Sequence, residues 1–158
     1  MAHLMSEAGD RGPSVQQRLY PTLNCFGCGP ANPKGLRLRS YPADDGVVAD
    51  FAPWPEHDNG LGYLNGGIIA TVLDCHSAAV VVLEAERRGW PALPGAALPY
   101  VTAGLDVRYL RPTPLAPIEL RGVVRSASEA EMVADVEVWS DGKPRARASA
   151  RWLRWRPR

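Results

Sequence analysis

The chain has 158 residues, 46% of them hydrophobic, and this suits one domain with a buried core rather than two. Its 18 basic and 17 acidic residues give a formal net charge of +1, so the total charge predicts neither a nucleic acid nor an anionic membrane as partner. Three cysteines are an odd number, which disfavours a secreted disulfide framework. With no signal-peptide pattern and an unbroken apolar run of only residues 78–83 in the central helix, we expect a cytoplasmic protein.

The N-terminal part is predicted to be a flexible tail over residues 1–20, followed by a single domain over residues 21–158. Turn-forming residues dominate the segment Cys25-Phe26-Gly27-Cys28-Gly29, and a strand-like stretch follows at 36–39. A zinc site needs about four ligands, and no second cysteine pair exists. The segment is therefore interpreted as a structured loop, and no metal ligand is predicted.

The remaining elements follow from hydrophobic periodicity. Residues 46–51 are predicted to be a second strand, and residues 67 to about 88 a helix whose apolar face carries Ile69, Val72, Leu73, His76, Val80 and Leu83. Four strands are indicated by alternation at Val101, Ala103, Leu105, Val107 and Tyr109, then Ile118, Leu120 and Val124, then Met132, Ala134, Val136 and Val138, then Ala146, Ala148, Ala150 and Trp152. Asp141-Gly142 is typical of a hairpin turn between the last two. This order predicts an α+β fold in which one long helix covers an antiparallel sheet.

The helix start combines two features that can act on a carbonyl group. Gly66 and Gly67 are expected to leave backbone N–H groups pointing outward, where the positive end of the helix dipole favours an oxyanion. Asp74 lies about 10 Å further along the helix, on the side opposite the bulky apolar face. One helix cannot bring both to the same carbonyl, but a second copy packed across a two-fold axis can. An ordinary turn and a solvated aspartate remain the alternative interpretation.

Residues 65–74, with Asn65-Gly66-Gly67 first and Asp74 last, resemble the H-G-G-x-x-x-x-x-x-D motif of hotdog-fold acyl-CoA thioesterases of the phenylacetate-pathway type. Asn59 stands where that group carries an asparagine. The segment 105–114, with its Tyr-Leu-Arg-Pro turn, and the Asp141-Gly142-Lys143 hairpin are similar to the family as well. The resemblance runs in order from about Cys25 to Trp152.

The resemblance implies a hotdog fold, in which a sheet of five or six antiparallel strands wraps one long helix, and a homodimer that often pairs into a homotetramer. It implies thioester hydrolysis without a cofactor, coenzyme A being part of the substrate. The Gly67 N–H would polarise the thioester carbonyl, and Asp74 of the other subunit would activate water or attack directly. Asn59 would position the water or the thioester, and Thr71 could hydrogen-bond near Asp74.

The sequence departs from the family motif at its first position, where histidine is replaced by Asn65. Asparagine donates and accepts hydrogen bonds but does not titrate near neutral pH, so any role that needs an imidazole is lost. His76 is predicted to be a buried core histidine, since it falls in the apolar face of the helix. His57, in the preceding loop, is a candidate for lining the site. Cys75 is interpreted as packing rather than as a nucleophile.

The candidates for binding the phosphates of coenzyme A are Arg111, Lys143, Arg145 and Arg147, with a solvated strand face as the alternative. An apolar slot for the acyl group is expected near Trp54, Tyr63 and Leu64. Two other functions stay open: a hotdog protein that binds an acyl thioester without cleaving it, and a hydratase or dehydratase that would need Asp74 and His57 in one site. The sequence shows no helix-turn-helix pattern, so DNA binding is not expected.

Overall fold

The computed structural model describes residues 11–158, so residues 1–10 of the predicted tail lie outside the described part of the chain. Its elements are α1 (Val15–Leu19), β1 (Arg39–Ala43), β2 (Gly46–Phe51), a short 3-10 turn (Pro55–His57), α2 (Gly66–Arg88), β3 (Tyr100–Tyr109), β4 (Ile118–Ala127), β5 (Glu131–Ser140) and β6 (Lys143–Arg154). The predicted order of two short strands, one long helix and four strands is confirmed.

The six strands form one antiparallel sheet in the order β1-β2-β4-β5-β6-β3, wrapped around α2. This is the α+β arrangement that the hotdog resemblance implied. The turn between β5 and β6 is formed by Asp141 and Gly142, whose φ angles of 52° and 69° suit the tight hairpin that these residues predict. The sheet ends in two edge strands, β1 and β3, and the second of these lies beside the candidate site.

The first predicted strand and the predicted tail need correction. Residues 36–38 precede the strand instead of forming it, because Arg37 has a φ of 54°, which no regular strand accommodates. Residues 14–19 are a capped helix rather than loose tail: Ser14 caps α1, and the Gln16 side chain exchanges two hydrogen bonds with Ser40 in β1. Val15 is buried, so α1 covers part of the core.

Helix α2 is buried on more faces than its amphipathic pattern predicts. It is long and apolar enough to cross a membrane by length and composition alone, but 67% of its most apolar window is buried within the fold, as expected for a core helix. Gly122 in β4 allows the close approach of helix and sheet, since a Cβ there would lie 2.7 Å from Val80 Cγ2. The side predicted to face another subunit is partly covered by the chain's own residues 25–29, with Gly27 against Thr71 and Cys75.

The prediction that His76 is a core histidine is confirmed. Its Nε2 lies 3.0 Å from the Val47 carbonyl, which can only accept, so Nε2 carries the proton and Nδ1 accepts from the Ser40 hydroxyl at 2.9 Å. The hydroxyl in turn accepts from Gln16 Nε2. Complete burial lowers the pKa of His76 to about 4, so the ring is neutral and its hydrogen bonds are satisfied.

A β-bulge in β3 changes which of its residues face inward. Thr102 is paired with Trp152 and Gly104 with Arg151, so Ala103 is an extra residue in the strand. The alternation predicted from Val101 to Tyr109 therefore fails before the bulge, where Val101 is 41% exposed and the Thr102 side chain faces the helix. This shift brings a hydroxyl to Asp74.

Candidate active site

The N-terminus of α2 is capped by Asn65. Its Oδ1 accepts from the backbone N–H of Gly67 at 2.8 Å and from that of Ile68 at 3.3 Å, as an asparagine N-cap does. The expectation that the Gly67 N–H points outward without a partner is therefore wrong. The Gly66 N–H, by contrast, donates to no atom among residues 11–158. The residue that replaces the motif histidine has a structural role that the sequence did not show.

The loop before the helix is organised by Asn59. Its Oδ1 accepts from the N–H groups of Leu61 and Tyr63, at 2.8 and 3.2 Å, so this oxygen closes the loop rather than facing a substrate. His57 is 7% exposed, stacks on Trp54 at a centroid distance of 4.7 Å, and accepts from the Trp54 N–H through Nδ1. Burial lowers the pKa of His57 despite the nearby Glu56. Its carbonyl accepts from the Asn65 N–H, so the histidine supports the helix start.

Asp74 is half-buried two turns into α2. Its Oδ1 accepts from the Thr102 hydroxyl at 2.8 Å, and its Oδ2 accepts from no residue in the described part of the chain. Burial raises the pKa of Asp74, the Thr102 hydrogen bond lowers it, and the charge of Cys25 raises it. The result is a carboxylate more basic than an exposed aspartate, with one oxygen held and the other available.

The two ends of the site lie along the edge strand β3. Thr102, near its beginning, contacts Asp74, while the hydroxyl of Tyr109, at its end, donates to the Gly66 carbonyl at 2.7 Å. Within one chain, then, the helix start and the carboxylate lie near opposite ends of β3, and apolar side chains are exposed at Val101 and Tyr109 in this strand and at Leu110 just after it.

Among the other predicted site residues, some side chains already make hydrogen bonds within the chain, and others are exposed and could bind a ligand. Thr71 donates to the Gly67 carbonyl at 2.9 Å, within its own helix, and not to Asp74. The Arg145 guanidinium donates to the Ser140 and Pro112 carbonyls and to Asp141, which holds it at the hairpin. Arg111 is exposed, with one hydrogen bond to the Pro144 carbonyl, and Lys143 is exposed.

The described chain also has an open cavity of about 530 Å³ on the solvent face of the sheet. It contains none of the candidate site residues. Its lining is Asp106, Arg108, Arg125, Asp135, Val136, Glu137, Arg147, Ala148 and Ser149. A charged groove of this kind does not suit an acyl chain, so we do not assign the reaction to it.

Comparison with known proteins decides the family. A family model described as the thioesterase superfamily matches residues 61–146, more than half of the chain, from the end of the loop before α2 to the first residues of β6. The chain belongs to the thioesterase superfamily. No curated protein matches this superfamily member significantly by sequence.

Solved structures show the same fold. A thioesterase superfamily protein from Shewanella loihica is 27% identical with a TM-score of 0.62, over 85% of this chain and 96% of its own. A phenylacetic acid degradation-related protein from Ralstonia eutropha is 22% identical with a TM-score of 0.66, over 80% and 92%. A Bacillus halodurans protein solved with CoA is 21% identical with a TM-score of 0.55, over 67% and 65%. The hotdog fold of this thioesterase superfamily member is thus confirmed.

Sequence reasoning missed two residues of the site. Thr102 was hidden by the bulge, because an unbroken alternation places it on the outer face. Tyr109 was assigned to a buried face but is 55% exposed and holds the Gly66 carbonyl.

Proposed function

We propose that this thioesterase superfamily protein hydrolyses an acyl-CoA thioester to a free acid and CoA, with Asp74 as the general base. One observation carries the proposal: the Asp74 carboxylate is half-buried at the edge of the sheet, with Thr102 on one oxygen and no described partner on the other. Burial raises its pKa, which favours taking a proton from water. Oδ2 takes that proton while the water oxygen attacks the carbonyl carbon. The C–S bond then breaks, and the thiolate leaving group receives the proton.

The site is completed by a second copy of the chain. β3 is an edge strand, and its exposed residues Val101 and Tyr109, with Leu110 just after its end, make it a candidate for pairing with another β3. In an antiparallel pair, a two-fold axis near the middle of the strand brings the Thr102 end of one copy to the Tyr109 end of the other. Thr102 contacts Asp74, and Tyr109 contacts Gly66 at the start of α2, so this pairing brings Asp74 of one copy to the helix start of the other.

The carbonyl oxygen of the substrate binds at the start of α2. In this proposal it replaces the Asn65 Oδ1 on the Gly67 N–H, and the Gly66 N–H lies next to it. Because Asn65 is exposed, its side chain can turn away without disturbing the core. The positive end of the helix dipole stabilises the oxyanion that forms there.

Coenzyme A is the proposed carrier of the acyl group. The structural similarity to a protein solved with CoA supports this, and Lys143 and Arg111 are the exposed cations at the hairpin that can meet its phosphates. The acyl group enters beside Trp54 and Tyr63, which are 46% and 43% exposed next to the helix start. We propose a homodimer, pairing further into a homotetramer, in the cytoplasm.

The hydratase alternative is not supported by the contacts of the described chain. Asp74 contacts Thr102, whereas His57 is held between Trp54 and Phe51 below the helix start. The two side chains therefore do not form an acid–base pair within one subunit. Binding without hydrolysis has one supporting observation, the Gly67 N–H already occupied by Asn65.

The test is release of free thiol from short-chain, long-chain and aryl acyl-CoAs. We expect hydrolysis well above background that is lost in Asp74→Asn and retained in Asp135→Asn, which changes a partly exposed aspartate that pairs with Arg125 away from the candidate site. Binding of an acyl-CoA without any thiol release would contradict hydrolysis and favour the binding function.

A complementation experiment tests the shared site. Asp74→Asn removes the base, and Gly67→Val places a branched side chain over the helix start. If the site is shared, mixing the two inactive variants forms heterodimers in which one of the two sites is intact, so about half of the activity of those dimers returns. No recovery in heterodimers confirmed by native mass spectrometry would place both groups of a site in one subunit.

A further inference from the structure

The three cysteines of the chain meet in one cluster beside Asp74. The sulfur atoms of Cys25, Cys28 and Cys75 all lie within 4.8 Å of one another, and those of Cys25 and Cys75 are 3.7 Å apart. All three are free thiols. Cys28 and Cys75 are 2% and 5% exposed, while Cys25 is half-buried. The mechanism above uses none of them.

The spacing of the sulfurs suits a tetrahedral metal ion. With a Zn–S bond of about 2.3 Å, two thiolates of a tetrahedral site are about 3.8 Å apart. The Cys25–Cys75 distance of 3.7 Å already has this value. A disulfide, in contrast, joins two sulfurs at about 2.05 Å and would leave the third buried without a role.

The loop that carries Cys25 and Cys28 is built to wrap around these sulfurs. A Cβ at Gly27 would overlap the Cys75 sulfur, and a Cβ at Gly29 would overlap the Cys25 backbone, so both positions require glycine. Hydrogen bonds from the Cys28 and Cys75 thiols, and then from the backbone N–H groups of Cys28 and Gly27, lower the pKa of Cys25. The same hydrogen bonds raise the pKa of Cys28 and of Cys75, so without a metal the cluster holds one thiolate, at Cys25, and two thiols whose protons a metal ion has to displace.

A second observation at the cluster comes from Tyr20. Its hydroxyl is buried, with the residue 4% exposed, and makes no hydrogen bond of regular geometry in the described chain. Burial is the main cause that raises the pKa of Tyr20, and the charges of Cys28, Cys75 and Cys25 and an interaction with the Cys28 thiol raise it further. A buried hydroxyl without an acceptor is destabilising. A metal-bound thiolate at Cys28 would provide that acceptor.

We propose that Cys25, Cys28 and Cys75 bind one thiophilic divalent ion, Zn²⁺, through three thiolates, with the fourth position open to solvent on the half-buried Cys25 side. The ion fastens residues 25–29 to α2 next to Asp74, and the Tyr20 hydroxyl donates to the Cys28 sulfur. Binding releases the thiol protons that the cluster holds. None of its ligands takes a direct part in the proposed hydrolysis, so metal binding can be tested without that reaction.

The test is metal binding to the reduced full-length protein. Competition with a chromophoric chelator is expected to give one Zn²⁺ per chain, and Co²⁺ in its place is expected to give an intense sulfur-to-cobalt charge-transfer band with tetrahedral visible bands. Cys25→Ser, at the half-buried ligand, should lower the affinity more than about 100-fold, since loss of a residue that only hydrogen-bonds to a ligand costs about 10- to 100-fold. Tyr20→Phe keeps all three sulfurs and should weaken binding about tenfold.

His57→Gln serves as the control, since it removes a potential ligand elsewhere and should leave the affinity unchanged. Circular dichroism establishes that each variant is folded. Less than one equivalent of bound metal, a cobalt spectrum without the thiolate band, or unchanged affinity in folded Cys25→Ser would each overturn the proposal. So would a Cys25–Cys75 disulfide that forms equally fast with and without Zn²⁺.

Discussion

The hydrogen bond from Thr102 to Asp74 gives the sharpest prediction. Thr102→Val removes the hydroxyl that lies 2.8 Å from Asp74 Oδ1 and keeps the shape of the side chain. The variant therefore takes from the carboxylate the one hydrogen bond that lowers its pKa, while burial, which raises the pKa, is unchanged. The ionised, active form of Asp74 becomes less favourable.

The expected magnitude follows from the strength of that bond. A hydrogen bond to a charged group contributes about 1.5–3 kcal/mol, and since Asp74 is half-buried, water replaces part of it, so we take about 1.5 kcal/mol. That energy changes the ratio of ionised to protonated Asp74 about tenfold. On the acidic side of the pH profile kcat/KM should fall about tenfold, and at the alkaline plateau, where Asp74 is ionised in both proteins, the loss should be small.

The assay is thiol release as a function of pH for the wild type and Thr102→Val. Thr113→Val is the matched control: Thr113 is 2% exposed, and its hydroxyl has no hydrogen-bond partner among residues 11–158, so its removal should leave the profile in place. If kcat/KM of the wild type and of a folded Thr102→Val fall at the same pH on the acidic side, the Thr102 hydrogen bond does not stabilise the ionised form of Asp74 and the reasoning is refuted.

Three further outcomes are expected. Asn65→Ala removes the helix cap and should lower the free energy of unfolding by about 1 kcal/mol, yet raise kcat/KM several-fold by releasing the Gly67 N–H; a lower kcat would instead make the Asn65 side chain catalytic. The pKa of His76 is about 6.5 in the unfolded chain, and burial lowers it to about 4 in the folded protein. The free energy of unfolding measured in urea should therefore fall by up to about 3 kcal/mol as the pH drops through that range. His76→Gln should make this fall smaller. Val101→Lys should block pairing of β3, so that the variant sediments as a monomer and is inactive. A monomer that is active would exclude the shared site.

Local signals in the sequence determined the framework of the protein. The bounds of α2 were predicted within one residue, because glycine-containing turns and a cationic last turn act over a few neighbouring positions. The inward residues of β5 and β6 were predicted correctly, since both strands alternate about a hairpin formed by Asp141 and Gly142. The family motif also identified Asp74 and the helix start as the candidate site.

The tertiary structure decided how the site is built. The bulge at Ala103 depends on how β3 pairs with β6, and no run of residues in β3 alone reveals that Thr102 turns inward to Asp74. The sequence likewise separates Cys75 from the pair Cys25 and Cys28, and the three sulfurs meet through the packing of an N-terminal loop on α2. Contacts between distant segments depend on the packing of the whole chain, whereas turns and periodicity depend on neighbours, and this difference separates what the sequence determined from what the fold decided.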